Sequence, residues 1–206
     1  MTASSGGTAA IVLRFGDRPT PRALATVPTV AVSEPGAIDD AATRARRLVV
    51  VGSETDLATV LTRLLKTDQL GVEVAHQPGR FGAGRALTAA AQRVPLVRDD
   101  TGQALVGRAF WRPAAAGQPL DGEGIVDDTV LFDGAVAGVQ IEPLTELPGL
   151  RARVLGTGWR SGPWVSGRAA QLGTPGAIVV RDGIAAARPV RRSTFYRHVE
   201  GWLRVT

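Results

Sequence analysis

The sequence predicts an α/β part followed by an antiparallel β part, and three observations carry that prediction. Between Leu48 and Arg93, strand-like and helix-like patterns alternate, which is the signature of strands laid parallel through helical crossovers. From Val94 onward the chain breaks into short β-type runs separated by Gly, Pro and Asp. With 206 residues, 44% of them hydrophobic, there is enough apolar material for one well-cored domain or two small ones.

Residues 1–47 are the least defined segment. Ile11–Phe15 reads as a strand, and Asp17–Pro35 carries Pro19, Pro21, Pro28 and Pro35, so it reads as extended chain. The stretch 37–47 reads as a short helix, with Asp39 and Asp40 near its start and Arg at its end, matching the helix dipole. Leu48–Val51 is a continuous β-branched run ending in Gly52, as expected of a buried parallel strand. Ser53, Glu54, Thr55 and Asp56 then offer several N-caps to a helix whose Leu57, Val60, Leu61, Leu64 and Leu65 share one face. Gly71–Ala75 reads as the next strand and Ala83–Arg93 as an alanine-rich helix, completing the α/β part at residues 48–93.

Residues 94–206 read as the antiparallel β domain. Its runs are Val94–Arg98, Ala104–Trp111, Thr129–Phe132, Ala135–Glu142, Leu150–Leu155, Ala169–Leu172, Ala177–Arg181 and Val190–Phe195. Phe132-Asp133-Gly134-Ala135 and Arg181-Asp182-Gly183-Ile184 read as hairpins, because Asp-Gly tolerates the positive φ of a tight turn. Ala114–Gly124 reads as a surface loop.

Composition removes whole classes of chemistry. There is no cysteine, so disulfides, thiolate metal sites and a cysteine nucleophile are excluded. The two histidines, His76 and His198, are far apart and no HExxH is present, which excludes a zincin. There is no G-x-S-x-G elbow for a serine hydrolase. No apolar run is long enough to span a membrane, and the first residues lack the basic and apolar regions of a signal peptide, so a cytoplasmic protein is expected. The net charge of +5 rests on 23 Arg and the single Lys66, mostly scattered and with few aromatics, so nucleic-acid binding is not expected.

One place suggests a ligand by local physics. A strand ending in Gly52 and feeding a helix presents backbone N–H groups and the positive end of the helix dipole. Either this turn contacts a nucleotide or it is an ordinary strand-to-helix turn, since it holds one glycine where close phosphate approach uses two or three.

Here the chain resembles the diacylglycerol-kinase-like and NAD-kinase-like superfamily, whose nucleotide domain carries a GGDGT loop, then a second glycine turn, and is followed by a β-sandwich. Val49 to Leu57, with Gly52-Ser53-Glu54-Thr55-Asp56 at its centre, stands where the strand and GGDGT loop would stand. Val74-Ala75-His76-Gln77-Pro78-Gly79-Arg80-Phe81, followed by Arg85-Ala86-Leu87, stands where the second turn and its helix would stand. The segment from Gly167 to Val190 resembles the closing strands of the sandwich. The resemblance implies a small α/β nucleotide-type domain plus a β-sandwich-like C-terminal domain. It also implies Glu54 in the place of the catalytic acid and Gly52, Ser53, Thr55 and Gly79 in the places that contact nucleotide.

The departures are as informative as the matches. Ser53 and Thr55 replace glycines, and their Cβ atoms would crowd a triphosphate; Pro78 removes an N–H donor. Glu54 is otherwise an exposed first-turn acid serving the helix dipole. The string Leu120-Asp121-Gly122-Glu123 matches the acid motif of lipid kinases by letters but stands too early in the chain.

Outside this region, Arg191 and Arg192 beside Ser193–His198 form the densest polar and aromatic cluster, either an anion grip or a strand with its arginines in solvent. His76 at a strand end faces a cleft or the surface, and His198 reads as a surface histidine. Asp127, Asp128 and Asp133 are either oxygen ligands for a hard cation or solvated acids.

Three functions follow as expectations. The first is a shortened, degenerate relative of the lipid and NAD kinases, non-catalytic or weakly catalytic, that binds a protein partner or a nucleotide. The second is a phosphotransferase using ATP and Mg²⁺ on a lipid or small alcohol. The third is an arginine-mediated binder of anionic partners.

Overall fold

The computed structural model describes residues 8–79, 82–156 and 161–206. The chain divides into two compact units, residues 1–94 with 201–206, and residues 95–200.

The first unit is built on a six-stranded sheet. Its elements in order are β1 (Thr8–Phe15), β2 (Thr29–Val32), α1 (Pro35–Arg44), β3 (Ala45–Val51), α2 (Glu54–Lys66), β4 (Glu73–His76), α3 (Arg85–Thr88), β5 (Ala91–Val94) and the terminal strand Trp202–Val205. The strand order is β2-β1-β3-β4-terminal-β5, parallel throughout except for β5. Alternation along the strands separates two faces: Val12, Val49, Val51 and Ala75 join one apolar cluster with Leu24, Ala83 and Ala86. On the strands between them, Ile11, Leu13, Leu48, Val50 and Val74 are as deeply buried, and α1 and α2 contribute buried Ile38, Ala41, Leu57, Leu61 and Leu64.

Three features differ from the sequence reading. Residues 1–47 are expected to be poorly defined, yet β1, β2 and α1 lie within this range and β1 is a central strand of the sheet. The helix expected over 37–47 spans Pro35–Arg44, and Ala45–Arg47 are strand because they pair with Thr8–Ala10 of β1. The helix expected over Ala83–Arg93 is a single turn, Arg85–Thr88, after which Ala91–Val94 pairs with Trp202–Val205. That alanine-rich stretch has no strong apolar face to hold it helical, and its strand partner lies over a hundred positions away in sequence.

Arg47 fixes this unit from inside. Its side chain is buried, and Nε donates to Glu73 Oε2 at 2.7 Å across the β3–β4 pair. Nη1 and Nη2 donate to the carbonyls of Ala86 and Ala89 at 3.0 and 2.9 Å. A buried guanidinium with every bond directed to protein ties β3, β4 and α3 into one frame.

The second unit is all antiparallel. Its strands are β6 (Val97–Asp99), β7 (Ala104–Leu105), β8 (Ala109–Pro113), β9 (Leu120–Val126), β10 (Thr129–Val136), β11 (Val139–Pro143), β12 (Leu150–Val154), β13 (Val165–Gly167), β14 (Ala169–Arg181), β15 (Ile184–Ala185) and β16 (Val190–Arg197). The main path is β13-β12-β11-β8-β14-β16-β6-β7. β14 organises it. Residues 170–173 pair with β9 and residues 177–181 with β8, with a break in register at the intervening Pro175-Gly176, where a proline cannot donate to a ladder. The layers enclose a core centred on Trp111, Leu120, Ile141, Leu150 and Phe195, with Trp111 Nε1 donating to buried Ser193 Oγ at 3.0 Å.

Turn chemistry works at one of the two Asp-Gly pairs. Asp182-Gly183 closes the β14–β15 hairpin with φ of 46° and 87°. Asp133-Gly134 instead lies within β10, opposite Glu123 and Gly122, and the β9–β10 turn falls at Asp127-Asp128. Both carboxylate oxygens of Asp127 accept backbone N–H groups of Arg168 and Ala169, a tertiary anchor that fixes the turn there. The loop expected over Ala114–Gly124 is strand from Leu120 onward, because β9 pairs with both β10 and β14.

Two substitutions test these anchors. Replacing Arg47 by Met strands Glu73 and two carbonyls, and is expected to lower the unfolding free energy by about 3 kcal/mol in urea titration; Arg46→Ala, at a side chain 74% exposed, is expected to cost ~0.5 kcal/mol or less. In the second unit, fully buried Asp99 accepts from Thr101 N, Thr101 Oγ1 and Gln103 N through Oδ1 and is ion-paired to Arg181 through Oδ2. Asp99→Ala is expected to cost about 3 kcal/mol, whereas Asp133→Ala at an exposed strand position shifts the urea midpoint little.

Candidate functional site

The two turns singled out in the sequence follow adjoining parallel strands. Val50 of β3 is in register with His76 of β4, so Gly52-Ser53 and Gln77–Gly79 leave the same end of the sheet side by side. Two bonds fasten them: Gln77 N donates to Val50 O at 2.8 Å, and His76 Nε2 lies 3.0 Å from Gly52 O, which makes Nε2 the protonated nitrogen. Gln77 is buried, and its Nε2 donates to Gly79 O at 2.6 Å, shaping the second turn from within.

The first turn is a reciprocal cap. Ser53 is the N-cap of α2 and its Oγ accepts from Asp56 N at 3.2 Å. Asp56 Oδ2 in return accepts from Ser53 N at 2.7 Å and from Ser53 Oγ at 2.8 Å. An anion therefore already sits on the backbone donor that opens the helix. Gly52 is explained by the same contact, since a Cβ there would lie 2.7 Å from both Cβ and Oδ2 of Asp56. Its missing side chain makes room for Asp56.

Around this cap, Glu54 is exposed at the first residue of α2, and Thr55 is half-buried on the next position. A pocket of about 360 Å³ opens beside the second turn, with His76, Gln77, Gly79, Gly82, Arg85 and Thr206 among its lining. Gly79 and Pro78 thus line a cavity, while Gly52, Ser53, Glu54 and Thr55 are not part of its wall. Arg80 and Phe81 lie outside the described residues. Asp56, Gln77 and Arg85 were not singled out as site residues. The Ser-x-x-Asp spacing of a capping box is the signal that finds Asp56, and nothing local distinguishes Gln77 or Arg85.

Two acids of the second unit are held by backbone N–H groups. Asp127 is held as described above. Asp182 accepts N–H groups of Val106, Gly107 and Arg108, the shortest at 2.7 Å, so its hairpin is pinned to the β7–β8 connection. Asp121 and Glu123 are exposed on β9. Among the described residues no cluster of three or more His, Asp or Glu could hold a metal ion. Glu54 would offer a metal one carboxylate, and at the first turn the Ser53 N–H is taken by Asp56.

Arg191 and Arg192 are exposed on β16 of the second unit, with Ser193 and Phe195 turned into the core. Burial pushes the His198 imidazole below its ordinary value, Arg98 acts in the same direction and Glu200 opposes it. No helix among the described residues is long and apolar enough to cross a membrane.

No family model and no curated protein sequence matches the chain. Solved structures do. A diacylglycerol kinase from Bacillus anthracis superposes with a TM-score of 0.73 at 10% identity over 97% of both chains. An NAD kinase from Archaeoglobus fulgidus, solved in complex with ATP, superposes at 0.63 with 14% identity over 96% of this chain and 93% of that one. Yeast NADH kinase complexed with NADH superposes at 0.62 with 8% identity over 98% and 84% of the two chains. An α/β unit completed by a terminal strand, together with an antiparallel β unit, is the fold that this chain shares with these diacylglycerol kinase and NAD kinase structures.

Proposed function

We propose that this chain is a kinase-fold binding protein, non-catalytic or weakly catalytic in phosphoryl transfer, whose working surface is the end of the sheet around β3 and β4. One observation carries the reading: the Asp56 carboxylate accepts the Ser53 N–H at 2.7 Å, where a phosphate would need that donor free. A polyphosphate approaching Ser53 meets a fixed negative charge on that donor. The side chains of Ser53 and Thr55, in the places of glycines, support the same reading. The pocket beside the second turn remains available to a ligand, with Arg85 as its cation and Gln77 and His76 as its polar groups.

A second reading, an ATP- and Mg²⁺-dependent phosphotransferase acting on a lipid or small alcohol, draws on the exposure of Glu54 at the helix start beside these turns. In it Asp56 would have to leave the Ser53 N–H before nucleotide could bind. A third, anion binding through Arg191 and Arg192, rests on their exposure alone and would show as steep salt dependence.

Thermal unfolding with and without millimolar Mg²⁺–ATP separates the first two. A ligand at 100 times its dissociation constant stabilises the native state by about 2.7 kcal/mol. The reading carried by Asp56 expects no magnesium-dependent shift of this size; a shift abolished by Glu54→Ala would favour the phosphotransferase and call for a phosphoryl-transfer assay on lipids and small alcohols. The Asp56→Ala variant is expected to lose about 1 kcal/mol of stability with its cap. It should also gain affinity for inorganic phosphate or ATP over the parent, read by isothermal titration, because the Ser53 donor is released. Unchanged anion affinity in that variant would remove Asp56 as the reason for a closed turn.

A further inference from the structure

At the opposite end of the same sheet the chain builds a second cavity. β3 runs from Ala45 to Val51, so its start lies roughly 20 Å from the turns described above. There, a pocket of about 310 Å³ is bounded by Ala9 and Ala10 near the start of β1, Thr26, Val27 and Pro28 ahead of β2, Leu87 of α3, and Arg46 and Arg47 of β3, the latter with its guanidinium already bonded to Glu73 and two carbonyls. The space has a simple origin. β1 fills the core with Ile11, Val12 and Leu13 but carries alanine at 9 and 10, which leaves unfilled the room that longer side chains would take. Val27 and Leu87 pack on the adjoining apolar cluster and give the cavity firm walls.

The rim carries unbalanced charge. Arg46 and Arg47 both approach Glu73, but Glu73 Oε2 is taken by Arg47 Nε at 2.7 Å. Arg46 Nη1 lies 4.0 Å from Oε1, beyond hydrogen-bond distance, and its side chain is 74% exposed. Two guanidinium groups thus share one carboxylate, and Arg46, the outer of them, is exposed and among the residues that line the cavity.

We infer that this pocket binds a small amphipathic carboxylate, its aliphatic or aromatic body against Ala10, Val27 and Leu87 and its carboxylate on the Arg46 guanidinium. The planar fork of arginine matches a carboxylate in two parallel hydrogen bonds. The cavity lies at the lower end of the size range of small-molecule sites, which suits one short acid. The inference is independent of the kinase-fold reading, because none of these residues belongs to the β3–β4 turns.

Octanoate titrated into the full chain, followed by amide chemical shifts, tests it, with octanol and octylamine as the neutral and cationic counterparts. Octanoate is expected to bind saturably, octanol more weakly and octylamine not at all. Loss of a charge-assisted hydrogen bond predicts that Arg46→Ala weakens octanoate about tenfold or more and leaves octanol unchanged. Leu87→Trp should abolish both, and Ala9→Phe fills the cavity from the opposite wall should Leu87→Trp prove unstable. Non-saturating binding, equal binding of all three probes, or octanoate affinity unchanged in the Arg46 and filling variants would each overturn the assignment.

Discussion

The first unit hangs on a buried cation. Arg47 sits where the alternation of β3 turns a side chain inward, and a guanidinium cannot remain there unless it is answered from several sides. Glu73 answers from β4, and two carbonyls answer from α3 and its end. The arrangement sets the partner strand, the placement of the helical turn and the level at which the second loop leaves the sheet. It also explains why a one-turn helix with little intrinsic stability holds its place. Two pockets, one at each end of these strands, have walls that include parts of α3.

On that frame the first turn feeds α2 with its electrostatics met internally. The helix dipole and the free N–H at a helix start favour an anion of any source. A carboxylate three residues along the same chain has no translational entropy to lose on binding, so it competes strongly with a ligand. Gly52 survives because Asp56 needs the room, so a residue that resembles a ligand-binding glycine here has an intramolecular reason to be glycine.

The second unit repeats the principle with its acids. Asp99, Asp127 and Asp182 each place a carboxylate on backbone N–H groups, Asp99 within its own hairpin and the other two on segments distant in sequence, and each fixes a turn or a connection. Of these, Asp127 reads from the sequence as a candidate ligand for a hard cation. The oxygens of all three are committed to the chain, and short strands gain from them the register that turn residues alone leave open.

What the sequence by itself determined is the order of elements and their type wherever the signal is local. The Leu48–Val51 strand, the amphipathic α2, the Asp182-Gly183 hairpin, the succession of short strands after Val94 and the resemblance to the kinase fold were all legible from periodicity, turn chemistry and the placing of two glycine turns. Tertiary structure decided what depends on distant partners. Ala45–Arg47 became strand through β1, Ala91–Val94 became strand through Trp202–Val205, and Asp133-Gly134 was drawn into a strand because Asp127 anchors the turn six residues earlier. It also decided the chemistry of the first turn: the spacing of Ser53 and Asp56 could announce a cap, but only the folded turn shows the carboxylate on the Ser53 N–H. The physical reason is range. Propensity and periodicity act within a few residues, whereas strand pairing, burial of charge and occupation of a binding donor are settled by groups that meet only when the chain has folded.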